Sequence, residues 1–385
     1  MPSTTARSIL TPTAVARIVV GWGAFLALFL AGPLLQPPVP AWLLVATLVL
    51  IVAVILLCAF GVVHEAEHLA VRLGDPYGSL VLTLSIVLIE VVLIAAVMLG
   101  PGEHATIARD SVMAVSMIIL NAVIGLCLLV GGLRHGDLEH NRTGTSAYLA
   151  MIVVLSAVAF AVPALIGHGG AYTAGQEIPL VVLTLALYGF FLARQMGSQA
   201  ADFREVDPRL QPAPVPSVGG GAPGRPGIGQ VISEHRSEVV LRLAVLVVTV
   251  LPIVLLSHDM ATLLDDGLGR LGAPAALSGI LIALIVFLPE SITSVRAALQ
   301  GEIQRVANLC HGALVSTVGL TIPAVLVIGM LTGQPVVLAG SPANLLLLGV
   351  TLLLSVTTFA APKVTAMHGA AHLVVFAVYG IAVFS

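Results

Sequence analysis

Two glutamates carry most of the chemistry this chain has to offer. Glu90 and Glu290 each stand alone near the middle of a long apolar run, TLSIVLIEVVLIAAV and LIALIVFLPESIT. A charge at the centre of a bilayer costs at least about 2.5–3.5 kcal/mol on insertion scales, so such an acid is a functional candidate by default. Desolvation favours the protonated carboxyl and a nearby cation the ionised one, so a buried glutamate holds either a proton or a metal ion. That alternation is what an antiporter needs. The surroundings add oxygen donors. Thr83 precedes Glu90 by two helical turns, and Pro289 frees a backbone carbonyl one turn before Glu290. Thr293 and Ser294 follow Glu290 at the i+3 and i+4 positions. Asn308, Gly312 and Ser316 are spaced by four residues, as are Asn121 and Gly125. Carboxylates, hydroxyls, amides and freed carbonyls are the hard ligands that calcium and sodium require. The expected cation and proton set is therefore Glu90, Glu290, Thr293, Ser294, Asn308, Ser316, Asn121 and Thr83, with the two glutamates holding the metal. Hydroxyl and amide side chains also commonly bond across helices, which is the competing role for all but the glutamates.

A second constellation competes. His64-Glu65-Ala66-Glu67-His68 fits the H-E-x-x-H zinc-protease pattern, with both imidazoles on one helical face. LLDDG at 263–267 is similar to the third-ligand motif of intramembrane zinc proteases. The span count below places the two motifs on opposite sides of the membrane, with Asp265 and Asp266 in a loop, so they would not share one zinc. Read otherwise, His64 and His68, with Glu67, are an interfacial proton-sensing group, since imidazole titrates near neutrality. His368 and His372 form another i, i+4 pair, His311 lies in a later apolar run, and His372 is the candidate for proton relay.

The elements that must position these residues follow from composition. Of 385 residues, 58% are hydrophobic and 9% charged, with a mean hydropathy of +1.08. Soluble domains carry about 25% charged residues, so a soluble enzyme is excluded. The net charge of −3 makes nucleic acid an improbable partner, and three cysteines in apolar runs argue against a disulfide framework. Runs near 18–35, 41–63, 79–99, 111–133, 147–167, 178–193, 239–257, 275–297, 306–331, 343–361 and 364–384 are each suited to crossing a bilayer. With a cytoplasmic N-terminus, fourteen of the sixteen Lys and Arg residues fall inside, leaving only Arg109 and Arg270 outside. The first run reads as a retained helix rather than a signal peptide. The expectation is an all-α polytopic protein of the inner membrane, its C-terminus outside.

Residues 195–238 are rich in Pro and Gly and read as a flexible cytoplasmic linker. They separate residues 1–40 and a first five-helix unit, 41–194, from a second unit, 239–385. Arg72-Leu73-Gly74-Asp75-Pro76 recurs as Arg270-Leu271-Gly272-Ala273-Pro274, and each copy precedes a helix with one central glutamate. Five spans separate the copies, so they enter the membrane from opposite sides, the inverted repeat of secondary transporters. No phosphate-binding loop is present, so transport runs on an ion gradient or is passive, with inorganic cations, protons and lipid as partners and no cofactor.

Three stretches resemble a known family. HLAVRLGDPYGSLVLTLSIVLIEVVLI is similar to the first repeat of the bacterial Cha-type calcium (sodium, potassium)/proton antiporters, within the calcium:cation antiporter superfamily. LPESITSVRAALQGEIQRVANLCHGALVSTVGLTIPAVLVIGMLTG resembles their second repeat and HGAAHLVVFAVYG their last helix. The resemblance implies one plus five plus five helices, with Glu90 and Glu290 as the paired acids that alternately bind cation and proton. It also implies that Glu67 matches an acid at the cytoplasmic end of the second helix. The Gly-Asn pairs of better-known members are absent, replaced by Ile86-Val87 and Val286-Phe287, and Ser316 stands where glutamine is expected. Sodium and potassium therefore stay open beside calcium. The acidic run often found in the central loop is missing, so loop-mediated calcium regulation is not expected. The expected function is export of a cytoplasmic cation, Ca2+ first, in exchange for H+ by alternating access. An intramembrane zinc protease and a passive cation channel are the alternatives.

Overall fold

A computed structural model describes residues 9–35, 39–73, 77–98, 105–207, 209–210, 236–274 and 276–384. Residues 74–76 of the first repeated motif, and the side chains of Glu67 and Thr83, lie outside the described residues. Among the described residues, eleven long helices account for the eleven apolar runs. They are α1 (Pro12–Ala31), α2 (Ala41–Leu73), α3 (Tyr77–Met98), α4 (Ile107–His135), α5 (Arg142–Ile166), α6 (Ala174–Met196), α7 (Arg236–Leu271), α8 (Ala276–Gln300), α9 (Ile303–Thr332), α10 (Pro342–Ala360) and α11 (Ala366–Val383). A backbone in hydrocarbon must satisfy its own hydrogen bonds, which is why apolar runs of this length become helices. Helices α4 and α9 are the most enclosed, whereas α1, α6 and α11 turn most of their surface outward to lipid.

The two halves interleave. Helix α8 packs against α4 and α3 against α9, so each glutamate-bearing helix leans on a helix of the opposite half. Helices α2 and α7 pair along their length, with α1 against both. The loops repeat the inversion at the two ends. At one end Leu138–Glu139 (β1), between α4 and α5, pairs antiparallel with Lys363–Val364 (β2), between α10 and α11. At the other end Val337, between α9 and α10, bridges Ala171, between α5 and α6. The staples match as well. Gln304 at the start of α9 accepts from Asn141 N at 2.7 Å, and Arg109 at the start of α4 donates to the Ala339 carbonyl at 3.2 Å. Asn141 and Ser341 then cap α5 and α10 with their side chains.

Two helices outrun their expected spans. Helix α7 runs through Pro252, Gly267 and Gly269 and continues to Leu271, ending at Gly272, which takes a left-handed φ of +61°. Asp265 and Asp266, expected in a loop, are therefore helical, and Asp266 pairs with Arg270 and accepts from Val39 N at 3.3 Å. At the opposite end of α2, Glu65 is buried and receives Arg242 Nη1 of α7 at 2.7 Å, with Glu238 on the other side of the guanidinium at 3.2 Å. Of the expected linker, residues 195–207, 209–210 and 236–238 are described, and the stretch around Phe203 folds back on the helices as a strap. Asn308 Nδ2 donates to the Phe203 carbonyl at 2.6 Å, and the Phe203 ring packs on Tyr148 and Phe191. Next to this strap, Arg209 holds the buried Asp207 carboxyl below the usual carboxylate range.

Two tests follow from this packing. A Cβ on Gly369 of α11 would lie 2.4 Å from Leu129 N and 2.5 Å from the Gly125 carbonyl of α4. Gly369→Ala should therefore cost about 1–3 kcal/mol as an overpacked crossing and lower the thermal midpoint in detergent. Gly380→Ala on the same helix, where nothing lies within 4 Å, should not lower it. Likewise Glu65→Gln leaves a buried guanidinium short of a partner and should cost about 3 kcal/mol. Replacing both partners, as in Glu65→Leu with Arg242→Met, should recover most of the loss in the same melt.

Candidate cation site

Helix α3 carries Glu90 and α8 carries Glu290, both buried, at 2% and 6% exposure. The two carboxyl groups are close enough to interact electrostatically across the bundle. Each Oε1 is enclosed and has no hydrogen-bond partner among the described residues. Glu90 Oε2 accepts a 2.6 Å bond from Thr317 Oγ1 of α9. Carboxylate oxygens buried without hydrogen bonds, in two groups close enough to interact, are stable only when a proton or a cation compensates them.

Local backbone irregularity accompanies the site. Helix α9 contains a π-helical turn at Thr317–Thr321, and α4 has one at Ile118–Val123, the equivalent position in the other half. Such single-turn π bulges are concentrated at functional sites, since the extra residue redirects side chains and loosens the carbonyl ladder. Thr317 opens the turn in α9 and Asn121 lies within the one in α4. A third π turn, Ala157–Ala161, interrupts α5.

The expected donors divide between this site and other places. Ser294 lies one turn beyond Glu290, and the Cys310 thiol of α9 approaches its hydroxyl at 3.6 Å. Thr293 turns its hydroxyl back to the Pro289 carbonyl at 3.1 Å. Ser316 bonds the Tyr188 hydroxyl of α6 at 2.9 Å. Asn308 lies at the end of the bundle, between Gln304 and the strap. Asn121 donates to Thr351 of α10 at 2.9 Å and meets His372 Nδ1 of α11 at 3.2 Å, while His372 Nε2 lies 3.3 Å from Thr358. Because the Asn121 amide nitrogen is committed to Thr351, its oxygen must accept, which puts the imidazole proton on Nδ1. This buried network ties α4, α10 and α11 together.

Thr317 is the donor that sequence reasoning did not single out. The four-residue spacing Asn308–Gly312–Ser316 pointed to Ser316, but four residues overshoot a 3.6-residue turn, and the face drifts with each step. The face that meets the glutamates runs through Cys310 and Thr317, seven residues apart, which is the periodicity of two true turns.

The H-E-x-x-H group is not assembled as a metal centre. His64 and His68 are exposed, their rings edge to face at 4.6 Å, while Glu65 is held by Arg242. Among the described residues no group of three or more His, Cys, Asp or Glu side chains is arranged to hold a metal ion.

Comparison with known proteins agrees with this architecture. The chain is 30% identical over 370 residues to the sodium-potassium/proton antiporter ChaA of Escherichia coli K12, covering 94% of each. It is 33% identical over 236 residues to the putative ionic transporter y4hA of Sinorhizobium fredii, covering 61% of this chain and 60% of that one. Among solved structures, the H+/Ca2+ exchanger CAX superposes with a TM-score of 0.68 at 12% identity, over 96% of this chain and 89% of that one. The Ca2+/H+ antiporter YfkE gives 0.65 at 13% identity, over 97% and 98%. The sodium-calcium exchanger NCX_Mj gives 0.54 at 14% identity, over 95% and 99%. These likenesses establish one leading helix plus two inverted five-helix repeats, and the sequence relatives are transporters, not proteases. The model of the sodium/calcium exchanger protein family matches residues 43–197 and 241–385, and the chain belongs to that family of membrane cation antiporters.

Proposed function

We propose that the protein exports a cytoplasmic cation in exchange for protons, with Glu90 and Glu290 as the groups that carry either species. The observation that supports this best is the pair of enclosed Oε1 atoms, without hydrogen-bond partners among the described residues, on equivalent helices of the two repeats. When both carboxyls are protonated the site is neutral and the proton is the cargo. When both are ionised they balance one divalent ion, so Ca2+ against two protons is the simplest electroneutral cycle. Likeness to the E. coli sodium-potassium/proton antiporter supports the second reading, in which Na+ or K+ is taken up by the same pair. Thr317 and Ser294 add hydroxyl oxygens, and Asn121, Ser316 and Asn308 act in positioning the helices. His372, bridging Asn121 and Thr358, is the positioned candidate for passing protons between the pair and the loops.

The positive-inside bias supports an orientation with the end that holds Glu65, Asn141, Phe203 and Lys363 on the cytoplasmic side of a bacterial inner membrane, the N-terminus inside and the C-terminus outside. Residues 41–194 and 239–385 then act as the two opposed units whose relative movement opens the site to either face.

Everted membrane vesicles test the reading, with Ca2+, Na+ and K+ supplied in turn and proton movement recorded. Glu90→Gln and Glu290→Gln should each abolish exchange of every cation the wild type accepts. Full exchange in both variants overturns the site. Thr317→Val should weaken apparent cation affinity by roughly tenfold or more, the loss expected for a hydrogen bond to a charged group. A cation flux indifferent to the pH gradient would identify a channel instead.

A further inference from the structure

Cys310 stands beside the cation site and is not needed by hard-cation exchange. It is a free thiol on α9, buried at 4% exposure. Its Sγ lies 3.6 Å from the Ser294 hydroxyl, one helical turn beyond Glu290 on α8. It also lies close enough to Glu290 to interact electrostatically. Glu290 itself is buried and offers an Oε1 without a hydrogen-bond partner among the described residues. Seven residues along the same face of α9, Thr317 holds Glu90. One helix thus turns a thiol toward one carboxylate and a hydroxyl toward the other.

Calcium, sodium and potassium are hard ions that take oxygen and gain little from sulfur. A soft divalent ion of the same charge as calcium is in a different position. Carboxylates admit it on charge, and a thiolate then holds it far more firmly than oxygen alone. We propose that Cys310, with Glu290 and Ser294, makes this site a trap for thiophilic divalent cations, which block exchange by dwelling there. The thiol proton is released as the metal–sulfur bond forms, as thiolate coordination requires. Among the described residues no cluster of three metal-binding side chains is preassembled, so the trap closes only around an ion that has already entered between the helices.

The inference rests on the glutamate pair as the cation site, and its test separates the two. Exchange is recorded in everted vesicles with the full chain while cadmium is titrated, each variant being compared with its own uninhibited rate. Cys310→Ala and Cys310→Ser should raise the half-blocking cadmium concentration at least about tenfold, a loss typical even of residues that only orient a metal ligand. Cys58→Ala, on α2 with its thiol turned to the Arg17 carbonyl, should leave it in place. Unchanged cadmium sensitivity in both Cys310 variants overturns the proposal, as does relief of the block by Cys127→Ala alone. A second measurement does not depend on transport. Cadmium added to the purified full chain should produce thiolate-to-metal absorption in the ultraviolet. That absorption should be absent in Cys310→Ser, and in Glu290→Gln it should need at least about tenfold more metal. A Cys310-dependent band indifferent to Glu290 overturns the shared site even if the glutamate variants have lost exchange.

Discussion

Hydrocarbon does not solvate charge, and nearly every feature of this molecule answers that constraint. A carboxylate moved into a low-dielectric interior loses several kcal/mol of hydration even after relaxation. Where the chain buries an acid for structure, it supplies the compensation in full. Glu65 receives Arg242, which in turn holds Glu238, and Asp207 receives Arg209. Glu90 and Glu290 are treated differently. Among the described residues one has a single hydroxyl donor, and each keeps an enclosed Oε1 without a hydrogen-bond partner. The contrast within one molecule separates acids that hold the fold from acids that await a partner.

The helices that enclose this pair are built to tolerate irregularity. Helices α4 and α9 are the most buried, and both carry a π turn at the level of the site. A lipid-facing helix would expose loosened carbonyls to hydrocarbon, where nothing satisfies them. Surrounded by protein, the same turns find side-chain partners. The Asn121–His372–Thr358 chain stabilises the region around the α4 turn, and the Ser316–Tyr188 bond anchors α9 just before its own. The close crossing at Gly125 and Gly369 brings α11 near enough for His372 to reach Asn121. Small residues at the crossing and polar contacts across it are therefore parts of one arrangement.

How much of this was legible in the sequence depended on whether a residue's meaning was local. The eleven spans were legible because helix length in a bilayer is fixed by thickness. The two glutamates were legible because charge is so scarce that a solitary acid stands out. The inverted repeat showed itself in the five-residue echo, and the loop pairings at both ends of the bundle carry the same inversion into three dimensions. Partners brought from distant segments were not legible. Nothing near Glu65 in the chain announces Arg242, which is 177 residues away. Thr317 was hidden for another reason, since the four-residue spacing of Asn308, Gly312 and Ser316 drifts off a 3.6-residue turn, whereas Cys310 and Thr317, seven residues apart, stay on one face. Asn308 and Asn121 had the right chemistry and a plausible spacing, but rotation about the helix axis sends them to the strap and to α10 and α11.

The inversion is close in backbone and broken in side chains, and the break has a chemical consequence. Helix α9 offers Thr317 to Glu90. The equivalent turn of α4 offers Asn121, which is committed to Thr351 and His372. The two carboxylates therefore sit in matching places with unequal hydrogen bonding. Thr317 gives the Glu90 carboxyl a hydrogen bond for which Glu290 has no counterpart among the described residues. A side-chain donor to a carboxylate fixes its orientation as well as its charge balance. A scaffold that is symmetric in its helices thus presents its two acids in chemically unequal settings.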